Sequence, residues 1–150
     1  MKDKPTFGVL GGGSWGTAIV KMLTENLDKV NWYMRSDSAI RHIQNEGHNP
    51  NYLSSVEFDV EQLAMSHDIN KIVEASDVLI FVIPSAFLDR ELQNLTVSLK
   101  DKIIFSASSI DPLKFEPISA TRNGLENSLK VKFCNFININ FDHLQLLETN

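Results

Sequence analysis

The stretch GGGSWG at residues 11–16 decides the fold, because its glycines have the spacing G-x-G-x-x-G between two segments of different hydrophobic period. Before it, Phe7–Leu10 is a short apolar run that predicts a buried strand. After it, apolar residues recur at helical spacing, which predicts a helix packed on a sheet. The predicted stripe consists of Trp15, Ala18, Ile19, Met22 and Leu23. The glycine stretch is therefore predicted to be the turn between a strand and a helix.

The three spaced glycines meet different steric needs in such a turn. Gly11 permits the tight turn off the strand, Gly13 lets the backbone approach a diphosphate, and Gly16 lets the helix lie close to the sheet. The helix that begins near Ser14 offers unpaired N–H groups and its positive dipole end to the phosphates. The alternative is a glycine-rich turn without a ligand, which the surrounding strand–helix–strand pattern disfavours.

The apolar run VLIFVI at residues 78–83 is the strongest indicator of architecture. Six apolar residues without alternation predict a strand covered on both faces, as in a parallel sheet. Pro84 ends the run, and Ser85 is predicted to cap the next helix. That helix has one apolar stripe, formed by Leu88, Leu92, Leu95 and Leu99.

Strand and helix patterns alternate five times before residue 107. Further strands are predicted at Val30–Met34, Leu63–Met65 and Ile103–Phe105. Ser36 or Asp37 is predicted to cap a helix with Ala39, Ile40 and Ile43 inward, and Asp68 a shorter one. The alternation predicts an α/β fold of the Rossmann type: a doubly wound, mainly parallel sheet with helices on both faces.

Composition and charge exclude several function classes. The net charge of -5 argues against nucleic-acid binding and against binding to a membrane surface. No apolar run approaches the roughly 20 residues of a membrane span, and the start resembles no signal peptide. The single cysteine, Cys134, makes no internal disulfide, so a cytoplasmic location is expected. No metal site is predicted, because the histidines lack metal-ligand spacing: His42, His48, His67 and His143.

The residue at the end of the second strand selects the cofactor in folds of this type. An acidic residue there bonds the ribose hydroxyls of NAD, whereas a basic residue accommodates the 2′-phosphate of NADP. Arg35 follows the predicted strand Val30–Met34, and Asp37 lies two residues further on. The arginine favours NADP over NAD; the alternative is that Arg35 is a solvated loop residue.

Four stretches of the chain together resemble one family. They are Gly8–Ala18, Trp32–Arg35, Asn49–Leu53 and Ser76–Ser85. In order and spacing they resemble the glycine loop, second strand, Asn-x-x-Tyr-Leu segment and Val-Pro-Ser turn of NAD(P)-dependent glycerol-3-phosphate dehydrogenases. The resemblance covers about residues 6–107. It implies hydride transfer that interconverts dihydroxyacetone phosphate and sn-glycerol 3-phosphate, for phospholipid synthesis.

The resemblance also implies which residues contact NADP or NAD. Ser14 and Trp15 meet the pyrophosphate, Arg35 the adenosine ribose, and Tyr52 lies near the adenosine end. Pro84, Ser85 and Phe87 line the floor at the end of the strand, where open α/β sheets bind ligands. For Trp15, Tyr52 and Phe87 the alternative is an ordinary packed aromatic residue. The full predicted set is Gly11, Gly12, Gly13, Ser14, Trp15, Gly16, Arg35, Tyr52, Pro84, Ser85 and Phe87.

The chain departs from the family pattern after Ala107. The family continues Ser-Ala-x-Lys-Gly with a lysine of the catalytic site, but here Ser106-Ala107 is followed by Ser108-Ser109-Ile110. A second catalytic lysine belongs to a helical C-terminal domain, which we expect this chain to lack. Because a hydroxyl does not replace an ammonium in polarising a carbonyl, no catalytic residue is assigned.

The predicted domain organisation follows from this departure. We expect residues 1–107 to form the NAD(P)-binding domain and residues 108–150 to be a divergent tail, from truncation or an altered reading frame. One further strand is predicted in Val131–Ile139. Such a chain would bind NADPH or NADH weakly, and a phosphorylated small-molecule substrate only in the complete enzyme. Apolar surface that a second domain normally covers favours self-association, for which a homodimer is the simplest form.

Two alternatives to the glycerol-3-phosphate dehydrogenase assignment stay open. One is a different two-domain dehydrogenase with a similar amino-terminal half, such as a relative of the 6-phosphogluconate or ketopantoate enzymes. The other is a non-catalytic dinucleotide-binding module that acts as a redox sensor or interaction domain. The missing lysine favours this second alternative.

Overall fold

The computed structural model describes residues 4–107 and 134–135 of the chain. Its strands are β1 Phe7–Leu10, β2 Val30–Tyr33, β3 Leu63–Ser66, β4 Val78–Phe81, β5 Ile103–Ser106 and β6 Cys134–Asn135. Its α-helices are α1 Ser14–Thr24, α2 Asp37–Glu46, α3 Ile69–Glu74 and α4 Ser85–Leu92, and a 3₁₀ turn spans Val60–Gln62. The strands form one sheet in the order β3-β2-β1-β4-β5-β6, and every pair is parallel. This is the strand order of a Rossmann fold, which confirms the predicted fold class.

The helices cover both faces of the sheet, with one buried cluster on each face. Helices α1 and α2 supply Val20, Ala39, Ile40 and Ile43 to the first cluster, where they meet Val9 and Trp32 of the sheet. Helices α3 and α4 supply Ile69, Ile72, Val73, Leu88 and Leu92 to the second cluster, where they meet Tyr33, Leu79 and Phe81. Successive residues of a strand point to opposite faces, so Trp32 and Tyr33 of β2 belong to different clusters. The sheet is thus doubly wound, as predicted.

Strand β4 lies between β1 and β5 and is covered on both faces, as its apolar run predicts. Leu79 is opposite Gly8 on one side and Ile104 on the other. The strand ends at Phe81 rather than at the predicted Ile83, because the chain turns beyond it into α4. Strand β1 has the predicted bounds, and the carboxyl ends of β2, β3 and β5 each differ from the prediction by one residue.

The face that α1 buries differs from the predicted stripe. The buried residues of α1 are Gly16, Thr17, Val20 and Thr24, whereas Met22 is 59% exposed. The reason is steric: a Cβ atom on Gly16 would lie 2.1 Å from the carbonyl oxygen of Gly11. The glycine must therefore face the turn, and this contact sets the rotation of the helix about its axis. Ile19 and Leu23 of the predicted stripe still pack against the first cluster, so the hydrophobic period identified the helix and part of its buried face.

Helix α4 is shorter than predicted, because it ends at Leu92 instead of continuing to Leu99. Asn70 Oδ1 accepts hydrogen bonds from the backbone N–H groups of Thr96 and Val97, at 2.8 and 3.2 Å. These bonds hold the chain after α4 as a loop against α3. Leu99 lies in this loop and packs against the second cluster, so it contributes to the core although it is not part of a helix.

The helix caps agree with the predictions at two of three positions. Ser36 Oγ accepts a hydrogen bond from the N–H of Ala39, and Asp68 Oδ1 accepts one from the N–H of Asn70. Ser85 was the wrong residue for the third cap, because it is the first residue of α4. Pro84 occupies the cap position there and offers no side-chain acceptor.

Two other sequence predictions concern parts of the chain that are described only briefly. Within the predicted strand Val131–Ile139, the structure describes β6, which pairs with β5 through Phe105 opposite Cys134. The rest of that prediction, and of the predicted tail, lies outside the described residues.

Among the helices of the described part, none has the length and apolarity that crossing a bilayer requires.

Phe81 provides a test of the packing around β4. It is almost fully buried, so we expect Phe81→Ala to lower the free energy of unfolding by about 3–5 kcal/mol. The exposed Met22 is the control, and Met22→Ala should change the free energy of unfolding by less than about 0.5 kcal/mol. Urea denaturation followed by tryptophan fluorescence measures both. Equal losses for the two variants would contradict the described core.

Candidate functional site

The predicted site residues come together at the carboxyl edge of the sheet, where β1 pairs with β2 on one side and β4 on the other. Gly11–Gly16 follow β1, Arg35 follows β2, and Pro84, Ser85 and Phe87 follow β4. The chain winds in one direction from β1 and in the other from β4. Open α/β sheets bind ligands at this reversal point.

Two glycines of the turn are required by the protein's own packing. Gly11 has φ +135°, a conformation that other residues rarely adopt, and its Cβ would lie 2.9 Å from the carbonyl oxygen of Val82. Gly16 packs against the carbonyl of Gly11, as described above. Both positions therefore serve the turn and the helix–sheet contact that were predicted for them.

Gly13 differs from both, because none of the described residues other than its chain neighbours has an atom within 4 Å of the position its Cβ would take. Its φ of -79° is also accessible to any residue. Gly13 is the N-cap of α1, and no side chain caps the helix there. The main chain is thus bare at the positive end of a helix dipole, the arrangement that suits a phosphate group.

A buried tryptophan holds the first half of the turn. The indole Nε1–H of Trp32 donates a hydrogen bond to the carbonyl oxygen of Gly11 at 2.8 Å, and the side chain is fully buried. The sequence indicated only that Trp32 lies in a strand with aromatic residues. Its role in positioning the turn depends on β1 and β2 being neighbours.

A buried asparagine holds the second half of the turn. Asn49 Nδ2 donates to the carbonyl oxygen of Gly12 at 3.2 Å and to Thr17 Oγ1 at 2.9 Å. Its Oδ1 accepts a hydrogen bond from the N–H of Asn51 at 3.0 Å. The sequence pattern predicts only an irregular segment here, and Asn49 is not among the predicted site residues. Its only signal was membership of the Asn-x-x-Tyr-Leu segment.

The three predicted aromatic contacts are half exposed, so their interpretation as packed aromatic residues is wrong. Trp15, Tyr52 and Phe87 are 46%, 47% and 49% exposed. Tyr52 lies on the loop that Asn49 ties to the glycine turn. Phe87 lies on α4, where the guanidinium carbon of Arg90 is 5.5 Å from its ring centroid. Contact of these rings with a ligand stays a prediction.

Arg35 ends beside a buried carboxylate, which neither interpretation of the sequence anticipated. Its Nη1 is 3.6 Å from Glu91 Oε1, although its own side chain is 69% exposed. The hydroxyl of Tyr33 donates to the other carboxylate oxygen, Glu91 Oε2, at 2.5 Å. Burial, together with the hydrogen bond to Glu91 and the charge of that carboxylate, raises the pKa of Tyr33 far above its usual range. The phenol is therefore an O–H donor throughout the neutral range.

The residues at this edge of the sheet are suited to binding a ligand. A bare helix terminus, an arginine and exposed aromatic rings suit a ligand with phosphate and ring components. Within residues 4–107 no group of three or more histidine, cysteine, aspartate or glutamate side chains is arranged to hold a metal ion.

Comparisons with known proteins agree with this geometry. Residues 6–109 match a family model described as the N-terminus of NAD-dependent glycerol-3-phosphate dehydrogenase. The chain is 36% identical over 107 residues to the glycerol-3-phosphate dehydrogenase (NAD(P)+) of Colwellia psychrerythraea, covering 69% of this chain and 31% of that protein. It is 34% identical over 108 residues to the protein of the same name from Azotobacter vinelandii, covering 72% and 32%.

A solved structure supports the same comparison. The glycerol-3-phosphate dehydrogenase of Coxiella burnetii is similar with a TM-score of 0.59 at 28% identity, covering 70% of this chain and 32% of that one. The chain thus spans about a third of the length of the relatives it matches.

Asn49 provides a test of how the turn is held. Asn49→Ala removes two donated hydrogen bonds from the buried end of the turn, and we expect the free energy of unfolding to fall by about 1–3 kcal/mol. Asn51→Ala is the matched control, because Asn51 joins the same network through its backbone N–H alone. Urea denaturation measures both. An Asn49 variant as stable as the Asn51 variant would show that Asn49 does not hold the turn.

Proposed function

The chain belongs to the family of NAD-dependent glycerol-3-phosphate dehydrogenases, and on that premise we propose that it is the dinucleotide-binding part of such an oxidoreductase. The complete enzyme would interconvert dihydroxyacetone phosphate and sn-glycerol 3-phosphate with NAD(P)H. The observation that carries the proposal is the bare backbone at Gly13, the N-cap of α1: no side chain caps the helix there, and a Cβ would meet no described residue beyond its chain neighbours.

The residues of the turn fit the diphosphate of NAD or NADP. The main chain at Gly13 approaches the diphosphate without a side chain in the way, whereas Gly12 packs against the Met34 side chain. Ser14 and Trp15 begin the helix that faces the diphosphate. Trp32 and Asn49 keep this turn in place without contacting the ligand. When bound, the nicotinamide donates or accepts the hydride; the residues of this chain bind and orient it.

The remaining predicted residues are assigned to the rest of the dinucleotide. Arg35 takes the adenosine ribose side, because it follows the strand next to the glycine turn. Tyr52 takes the adenosine end. Pro84, Ser85 and Phe87 line the floor after β4, which is paired with β1.

No catalytic residue is proposed within this chain. In the family a lysine follows the strand that corresponds to β5, and here Ser108 and Ser109 stand after Ser106-Ala107. We assign residues 1–107 to the cofactor domain and 108–150 to a divergent tail. Polarisation of the substrate carbonyl and binding of the phosphorylated substrate would require lysines. In this assignment those lysines lie outside the cofactor domain.

The proposal also covers the cellular location and the self-association of the protein. We propose a cytoplasmic location, supported by the low cysteine content. We also propose that the chain forms homodimers, supported by the exposed apolar side chains of Met22 and Ile103.

A non-catalytic dinucleotide sensor is the second candidate function, and the replacement of the family lysine after Ala107 favours it. A partner protein that the chain captures only in the presence of NADH would support this candidate over the first.

Gly13→Ala separates ligand binding from folding. Because its added methyl would meet none of the described residues beyond its chain neighbours, the free energy of unfolding should change by less than about 1 kcal/mol. The same methyl would stand where the diphosphate approaches, so affinity for NADH and NADPH should fall by at least about tenfold. Titration followed by nicotinamide fluorescence measures the affinity. Unchanged affinity in the folded variant would refute the assigned diphosphate position.

Turnover by the chain alone is the second test of this proposal. Without the family lysines we expect NADH or NADPH to bind, but no measurable reduction of dihydroxyacetone phosphate. Absorbance of the reduced nicotinamide, followed with and without substrate, measures this. Robust reduction by the purified chain would overturn the assignment of the chain as a binding part only.

A further inference from the structure

We infer that Glu91 is a specificity-determining residue, which lowers the affinity for NADPH relative to NADH by offsetting part of the positive charge of Arg35. The inference rests on the proposed function, because it needs a dinucleotide whose adenosine ribose lies beside Arg35. It revises the expectation from sequence that Arg35 alone favours NADP.

Arg35 does not face the ribose position as an isolated positive charge. Glu91 Oε1 lies 3.6 Å from the Arg35 guanidinium and 3.9 Å from Nε of Arg90, so one carboxylate is shared by two arginines. The guanidinium of Arg90 also lies against the Phe87 ring. A 2′-phosphate that reaches Arg35 would therefore also approach a carboxylate.

The carboxylate is held where it is. Its side chain is 8% exposed, and the hydrogen bond from Tyr33 to Oε2 prevents it from turning away. Solvent and salt screen a buried charge much less than an exposed one. Glu91 thus places a fixed, buried negative charge beside the guanidinium of Arg35.

The two cofactors differ in their response to that charge. The 2′-phosphate of NADPH carries nearly two negative charges, so a neighbouring carboxylate repels it and competes for Arg35. NADH has a neutral hydroxyl at the same place, so its affinity depends little on this charge. The net effect of Glu91 is a shift of preference towards NADH.

Glu91→Gln tests the inference, since it removes the charge and keeps the shape. The glutamine amide can still accept from Arg35 and donate to the Tyr33 oxygen, so the geometry is retained. We expect affinity for NADPH to rise by about tenfold, with affinity for NADH unchanged within about twofold. Asp89→Asn is the matched control: it removes one negative charge from an exposed position of the same helix and should leave the ratio of affinities unchanged.

Fluorescence titration of the wild-type chain and both variants with NADH and NADPH measures the ratio, and urea denaturation confirms that each is folded. The affinities of adenosine 2′,5′-bisphosphate and of 5′-AMP, each measured by displacement of NADH, are then compared. Their difference gives the contribution of the 2′-phosphate to binding. A folded Glu91→Gln protein with an unchanged ratio overturns the inference and leaves the proposed function intact.

Two further outcomes keep the inference testable if Glu91→Gln fails to fold. The wild-type chain should bind NADPH no more tightly than NADH, and a wild-type preference for NADPH overturns the role of Glu91. Failure of the wild-type chain to bind either dinucleotide overturns the proposed function and this inference together.

Discussion

The contact between Gly16 and the carbonyl oxygen of Gly11 is the constraint on which the rest of the structure depends. Any side chain at Gly16 would collide with that oxygen, so only glycine lets the helix start this close to the strand. The contact then determines which face of α1 packs on the sheet and where its amino end points. Since the candidate phosphate position lies at that amino end, one steric condition couples the packing of the domain to its binding site.

A turn with so few side chains needs support from elsewhere in the chain. Trp32 and Asn49 supply it by donating hydrogen bonds to the carbonyl oxygens of Gly11 and Gly12. Both donors are buried, where an unpaired polar group is costly, so the bonds hold the turn in one conformation. The main chain at Gly13, where no side chain caps α1, is the position that we propose for the diphosphate. Positioning of the backbone thus precedes binding, which reduces the ordering cost that a ligand has to meet.

The strands, their parallel arrangement and the glycine turn could be predicted because each depends on local pattern. The run 78–83 indicates a strand covered on both faces wherever it occurs, and Asp68 caps a helix through its own neighbours. The exact rotation of α1 about its axis and the end of α4 could not be predicted in this way. The first depends on the contact of Gly16, and the second on Asn70, which binds a loop that follows it at a distance in sequence. Asn49 and Glu91 were missed for the same reason, since their partners lie on other elements.

The alternation of side chains along β2 divides the support of the site between the two faces of the sheet. Trp32 points to the face of α1 and α2 and holds the turn proposed to bind the diphosphate. Tyr33, the next residue, points to the face of α3 and α4 and holds the carboxylate that pairs with Arg35 at the proposed adenosine end. In the proposed binding mode, neighbouring residues of one strand therefore support the binding of different parts of the same ligand. A substitution in one cluster can alter the charge beside the ribose while the turn keeps its geometry, so cofactor preference can change without loss of dinucleotide binding.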